Sequence, residues 1–118
     1  MLYMKGISMS KSVITKYENI SVFSGKPTQC THHCVFGNGM RQLADNYGLT
    51  IPLTNKEHNL SSKGTIYQIH GNPPAEKLSK MLGQVAFEKE YYRKLVCGKN
   101  DVDPAREEFR KIFGKSYL

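Results

Sequence analysis

All four histidines of this 118-residue chain, His32, His33, His58 and His70, fall within one window of 39 residues. A neutral imidazole is a good ligand for a divalent cation, and with a pKa near ~6.5 it is also a good general base at neutral pH. His32 and His33 are adjacent, so in a strand their rings face opposite ways and can play different parts. A loop or bulge would be needed for both to approach one phosphate. His58 and His70, further along the chain, would supply the remaining ligands. The plain alternative is four unrelated surface or capping histidines.

Two of the three cysteines, Cys30 and Cys34, flank this pair, and Cys97 lies far from it. Three is an odd number, without the spacing of a disulfide scaffold or a zinc knuckle. Cys-x-His-His-Cys puts four donors on one short segment whose side chains alternate in a strand, so they cannot all meet one ion. Reduced thiols in a reducing compartment are the expectation, with ligation by cysteine as the minority reading.

These residues need elements to hold them. Ser21–Pro27 ends in turn chemistry at Gly25 and Pro27. Thr31–Phe36 is rich in β-formers and stops at the turn Gly37-Asn38-Gly39. Met40–Tyr47 is helix-compatible and ends at Gly48 as a left-handed cap would. Leu49–Leu53 alternates as a second strand. Thr54 or Asn55 then caps a short helix from Lys56, carrying Glu57, His58 and Asn59 before Gly64.

After the break at Gly71-Asn72-Pro73-Pro74, residues 75–92 carry apolar residues at 78, 81, 82, 85, 86 and 92, a stripe expected to complete the core. Asp103-Pro104 opens a further helix with Phe109, Ile112 and Phe113 on one face. The first 19 residues show no sustained period and are expected to form an arm. The rest, 20–118, is expected to be a single domain with a finger at 28–72 and C-terminal helices over 75–114.

The length suits one compact domain. Hydrophobic residues at 39% and charged residues at 23% suit a globular chain and exclude collagen-like or strongly disordered ones. No apolar run approaches the ~20 residues of a membrane span, and residues 1–16 lack the apolar block of a secretory signal, so a cytoplasmic protein without a membrane partner is expected. Lys and Arg number 17 against 10 acidic residues, a net +7 that favours a polyanionic partner such as DNA or RNA. The excess is spread along the chain with no basic tail, so the positive field must come from the folded surface.

Cys-Thr-His-His-Cys-Val-Phe-Gly-Asn-Gly-Met-Arg (30–41), Tyr-Gly-Leu-Thr-Ile-Pro-Leu (47–53), His58-Asn59 and the tail Ile-Phe-Gly-Lys-Ser-Tyr-Leu (112–118) together resemble a group of small phage-encoded HNH-type endonucleases. The likeness covers roughly residues 20–118, and the order and spacing of the motifs carry it. It implies an α+β fold around a ββα-metal finger, in which two strands and a helix grip one divalent cation against the scissile phosphate. Position by position, it makes His33 the general base that activates water, His32, His58 and His70 metal ligands, Arg41 a bidentate phosphate contact, and Asn59 a residue that holds the helix or touches phosphate. It also implies DNA as partner and the cytoplasm of a bacterial host as location. Mg, Mn, Ni and Zn are not distinguished as the native metal. A homodimer cutting both strands, and contacts with other phage or host proteins, are compatible with it.

Two departures stand out. Where relatives commonly carry paired Cys or His ligands for a structural zinc, this chain has Ser21, Ser24, Thr54 and Glu57, so no structural zinc is expected. The middle asparagine of the HNH name has no clear counterpart, with only Asn46 or Asn55 nearby. A metal-dependent DNA endonuclease is therefore the leading expectation, and a catalytically weakened HNH-like module that binds DNA or inhibits a nuclease is the alternative. A metal-independent structural protein would leave the histidine spacing without a reason.

Overall fold

The computed structural model of the chain describes residues 11–60, 68–95 and 103–118, and only the backbone of residues 59, 60, 92–95 and 103 among them. It is a small α+β fold. Its sheet has two antiparallel strands, β1 (Cys30–His33) and β2 (Thr50–Leu53), paired Cys30 to Leu53, Thr31 to Pro52, His32 to Ile51 and His33 to Thr50. Between them lies helix α1 (Met40–Asn46), and after them come a π-helical turn (Lys56–Leu60), α2 (Pro73–Leu95) and α3 (Asp103–Phe113).

The order of elements follows the sequence reading, with shifted ends. β1 stops at His33, three residues before the expected Phe36, because Val35 leaves the ladder to pack into the main core with Ala44, Leu49, Phe87, Phe109 and Phe113. Helix α1 closes at Gly48, whose φ is +70°. A side chain there would overlap the carbonyl oxygen of Lys11, so the position needs glycine for space as well as for conformation. Helix α2 begins at Pro73, two residues earlier than expected. Proline is tolerated in a first turn, where backbone N–H groups have no partner within the helix, and Asn72 Oδ1 accepts from the Ala75 N–H as a cap.

Two expectations are corrected. Leu78, Leu82 and Val85 are exposed and do not face the core. Helix α2 instead buries Ser79, Gln84, Phe87 and Glu88 and lays Gly83 against the end of β1, where a Cβ would stand 2.8 Å from Val35 Cγ2. Close approach at this glycine fixes which side of the helix turns inward. The lead-in is likewise not a free arm from Lys11 onward: Ser12 Oγ donates to the Thr50 carbonyl at 2.6 Å, Val13 N–H donates to the Gly48 carbonyl at 2.8 Å, and Ile14 packs on Cys34, Ile51, Leu53 and Ile69. Residues 1–10 and Gly64 lie outside the described residues. Among those described, no helix is long and apolar enough to cross a membrane.

Candidate metal centre

Alternation along β1 sends the two adjacent histidines to opposite faces, and the register runs without a bulge. His32 points inward and is completely buried. His58 is brought beside it by the π-helical turn, an arrangement frequent at functional sites. His70 arrives from the chain that follows, tied down by two backbone hydrogen bonds: Ile69 N–H donates to the Glu57 carbonyl at 2.9 Å, and His70 N–H to the His58 carbonyl at 3.0 Å.

The three rings meet edge to face. Centroids are 5.2 Å apart for His32 and His58, 5.1 Å for His32 and His70, and 4.6 Å for His58 and His70. One ring nitrogen from each lies within 4.8 Å of the others, so the trio could hold a metal ion. Nδ1 of His32 is buried without a hydrogen-bond partner, as an atom reserved for a ligand would be. Its Nε2 is hydrogen-bonded to Ser79 Oγ at 2.7 Å. Glu76 Oε2 stands 3.7 Å from Nδ1 of His70. Three imidazoles suit a divalent transition metal.

Electrostatics favour the neutral form of two of these rings. Burial pushes His32 down to about 3, helped by His58, His70 and His33. His58 is also lowered, first by burial, then by His70, His33 and Arg41. Neither competes with a cation by holding a proton at neutral pH.

His33, on the other face of β1, lines a cavity of about 570 Å³ with Thr31, Phe36, Gly37, Arg41, His58 and His70. Its Nε2 lies 3.3 Å from Asp45 Oδ1. Its pKa is lowered, because burial and the Arg41 guanidinium outweigh the upward pull of Asp45. A neutral His33 can accept a proton. Lys80 Nζ lies 4.6 Å from the centroid of Phe36, and Phe36 stacks edge-on to His70 at 4.7 Å, so a second cation borders the cavity wall.

The structure thus gathers His32, His33, His58, His70 and Arg41, and the side chain of Asn59 lies outside the described residues. The cysteines do not join them. Burial pushes the Cys34 thiol up to about 12, so it stays protonated. The Cys30 thiol, also raised by burial and then by Glu57, donates to the Leu53 carbonyl at 3.4 Å. Cys97 is not among the described residues. Of the two candidate asparagines, Asn46 Oδ1 accepts from the Gln42 side-chain amide at 2.9 Å, and the Asn55 backbone N–H donates to Gln29 Oε1 at 3.0 Å.

Ser21, Ser24, Thr54 and Glu57 do converge, as a hydrogen-bonded knot. Thr54 and Glu57 form a capping box: Thr54 N–H donates to Glu57 Oε1 at 2.9 Å, and Glu57 N–H to Thr54 Oγ1 at 3.2 Å. Ser21 Oγ donates to the same carboxylate at 2.6 Å and accepts from the backbone of Phe23 and Ser24. Burial alone would raise Glu57, but hydrogen bonds from Ser21, Thr54 and Ser24 hold it below its usual range. This knot anchors the turn that carries His58.

Asp45, Ser79 and Glu76 are the partners that sequence reading missed. Comparison with known proteins gives no match: no family model, no curated protein and no solved structure matches the chain.

Proposed function

We propose that this chain is a metal-dependent DNA endonuclease of HNH type, with β1, β2 and the π-helical turn as its ββα-metal core. One observation carries the reading: three imidazoles share a focus with an orphaned buried nitrogen, while a fourth, His33, opens onto the adjoining cavity. His32, His58 and His70 would hold the cation. A divalent cation bound there supplies charge neutralisation at the phosphate and at the departing oxygen.

The chain's own groups do the rest. With Asp45 at Nε2, His33 presents Nδ1 as the base that takes a proton from the attacking water. Arg41 offers a planar fork to phosphate oxygens. Lys80 and the net charge of +7 draw a polyanion to the cavity. Attack in line with the 3′ oxygen yields 5′-phosphate and 3′-hydroxyl ends.

Purified protein incubated with duplex, nicked and branched DNA plus Mg²⁺, Mn²⁺ or Ni²⁺ tests the proposal. Cleavage is expected in at least one combination, with His33→Ala lowering the rate about 10²–10⁴-fold while metal and DNA binding persist. No cleavage in any combination, or full cleavage by His33→Ala, refutes it. DNA binding that needs no metal and ignores His33→Ala would mark a binding module instead.

A further inference from the structure

Ser79 has one hydroxyl hydrogen, and a nitrogen and a carbonyl oxygen both lie close to it, beside the protonated Cys34 thiol. Its Oγ lies 2.8 Å from the carbonyl oxygen of Cys34 and 2.7 Å from Nε2 of His32, all in the interior. A carbonyl oxygen can only accept. Two oxygens at this separation with no hydrogen between them would set lone pair against lone pair, so the hydroxyl hydrogen lies on the line to Cys34. Oγ then turns a lone pair towards His32, and Nε2 must carry the imidazole proton. What is left on that ring is Nδ1, a bare lone pair without a hydrogen-bond partner, on the ring that meets His58 and His70.

We infer that Ser79 is a positioning residue that fixes His32 as its Nε2–H tautomer and so makes Nδ1 the atom that ligates the cation. The inference rests on the metal site of the proposed function, and it adds a helix to that site. Helix α2 turns one face towards the histidines, with Glu76 against His70, Ser79 against His32 and Lys80 over Phe36. Ser79 and Lys80 follow Glu76 by three and four positions, so one turn of α2 forms an outer wall of the centre. The chain from the Cys34 carbonyl through the Ser79 hydroxyl to the His32 ring is continuous and buried. It leaves the ring no second orientation without breaking a hydrogen bond. A ligand whose other nitrogen is held in this way is oriented in advance and made more basic, and removal of such a partner costs about 10–100-fold in metal affinity.

Two measurements test this. In metal-free wild-type protein with nitrogen-15-labelled histidine, long-range proton–nitrogen correlation should show a pyrrole-type Nε2 and a pyridine-type Nδ1 for His32, assigned by loss of the signal in His32→Ala. In calorimetric titration with Mn²⁺ and, separately, Zn²⁺, Ser79→Ala should bind about 10–100-fold more weakly than wild type, and Ser79→Thr, which retains the hydroxyl, should recover most of that loss. A proton on Nδ1 of metal-free His32, or a Ser79→Ala variant that binds as tightly as wild type, overturns the inference. Should Ser79→Ala fail to fold, the wild-type tautomer decides alone. Tight metal binding with the stated tautomer but no cut DNA would defeat the endonuclease reading and leave this one standing. DNA cleavage accompanied by unchanged metal affinity in Ser79→Ala would do the reverse.

Discussion

Asp45 Oδ1 approaches His33 Nε2 to 3.3 Å, and both side chains are largely shielded from solvent. Asp45 sits in the last turn of α1 and reaches back to the end of β1, so the helix between the strands orients the ring that faces the cavity. A carboxylate on one imidazole nitrogen selects the tautomer that leaves the other free to accept a proton. Oδ1 is buried and has no hydrogen-bond partner, so the approach to His33 is the polar contact that offsets its burial.

Asp45→Asn should therefore lower kcat about 10–100-fold with little change in metal affinity. Asp45 pulls the pKa of His33 upward. Its loss should move the acid limb of the pH–rate profile to lower pH. Steady-state kinetics across the acid range checks both effects, and an unmoved acid limb would remove Asp45 from this role.

Metal should stabilise the fold. A cation that binds only the folded chain adds about 2.7 kcal/mol when present at 100 times its Kd. Thermal melts should rise with Mn²⁺ or Zn²⁺, return on chelation, and show no rise in His58→Ala.

The metal-free protein should weaken as pH falls. His32 has a folded-state pKa near 3 against 6.5 when exposed, so between those values the unfolded chain binds the extra proton. Stability from this residue is complete above pH 6.5 and declines below it, by up to about 1.4 kcal/mol per pH unit. Glu57, held below its usual range, acts in the same direction at lower pH. Denaturant titrations of chelated protein from pH 7 to pH 4 should show this slope, and saturating metal should resist it.

Ser21→Ala should cost about 1–3 kcal/mol by removing the hydroxyl from a buried carboxylate. Thr54→Ala, which opens the capping box, should cost about 0.5–2 kcal/mol. Ser21→Ala combined with Glu57→Ala should fall short of the sum of the single losses, since both remove one shared contact.

Gly83→Ala tests the approach of α2 to the sheet. An exposed helical glycine gains about 1 kcal/mol on replacement by alanine. Here the new methyl would meet Val35 Cγ2 at 2.8 Å and Cys34 Cβ at 3.0 Å. Overpacking of about 1–3 kcal/mol should win, so chemical denaturation should show a less stable protein.

Local signals were legible in the sequence. The alternation at Leu49, Ile51 and Leu53 marks β2, Gly48 marks the end of α1, and the histidine cluster marks the centre. What escaped depends on contacts between distant segments. Ser79 meets His32 across 47 positions, and a serine within a helix carries no mark of its partner. The stripe at Leu78, Leu82 and Val85 has the right period but faces outward, because periodicity reports that faces differ without saying which one is buried. The row Ser79, Gly83, Phe87, spaced by four with small residues first, was the available clue to the inward side.

The amide of Gln84 makes three hydrogen bonds. Its nitrogen donates to Glu88 and to Ser116, both at 2.8 Å, and its oxygen accepts from the Tyr117 N–H at 2.6 Å. Residues 116 and 117 thus serve as a latch on the middle of the long helix. Trimming them would strand two of the three bonds of a fully buried amide, so a purification handle that strains this end should loosen the same helix that lines the histidine centre.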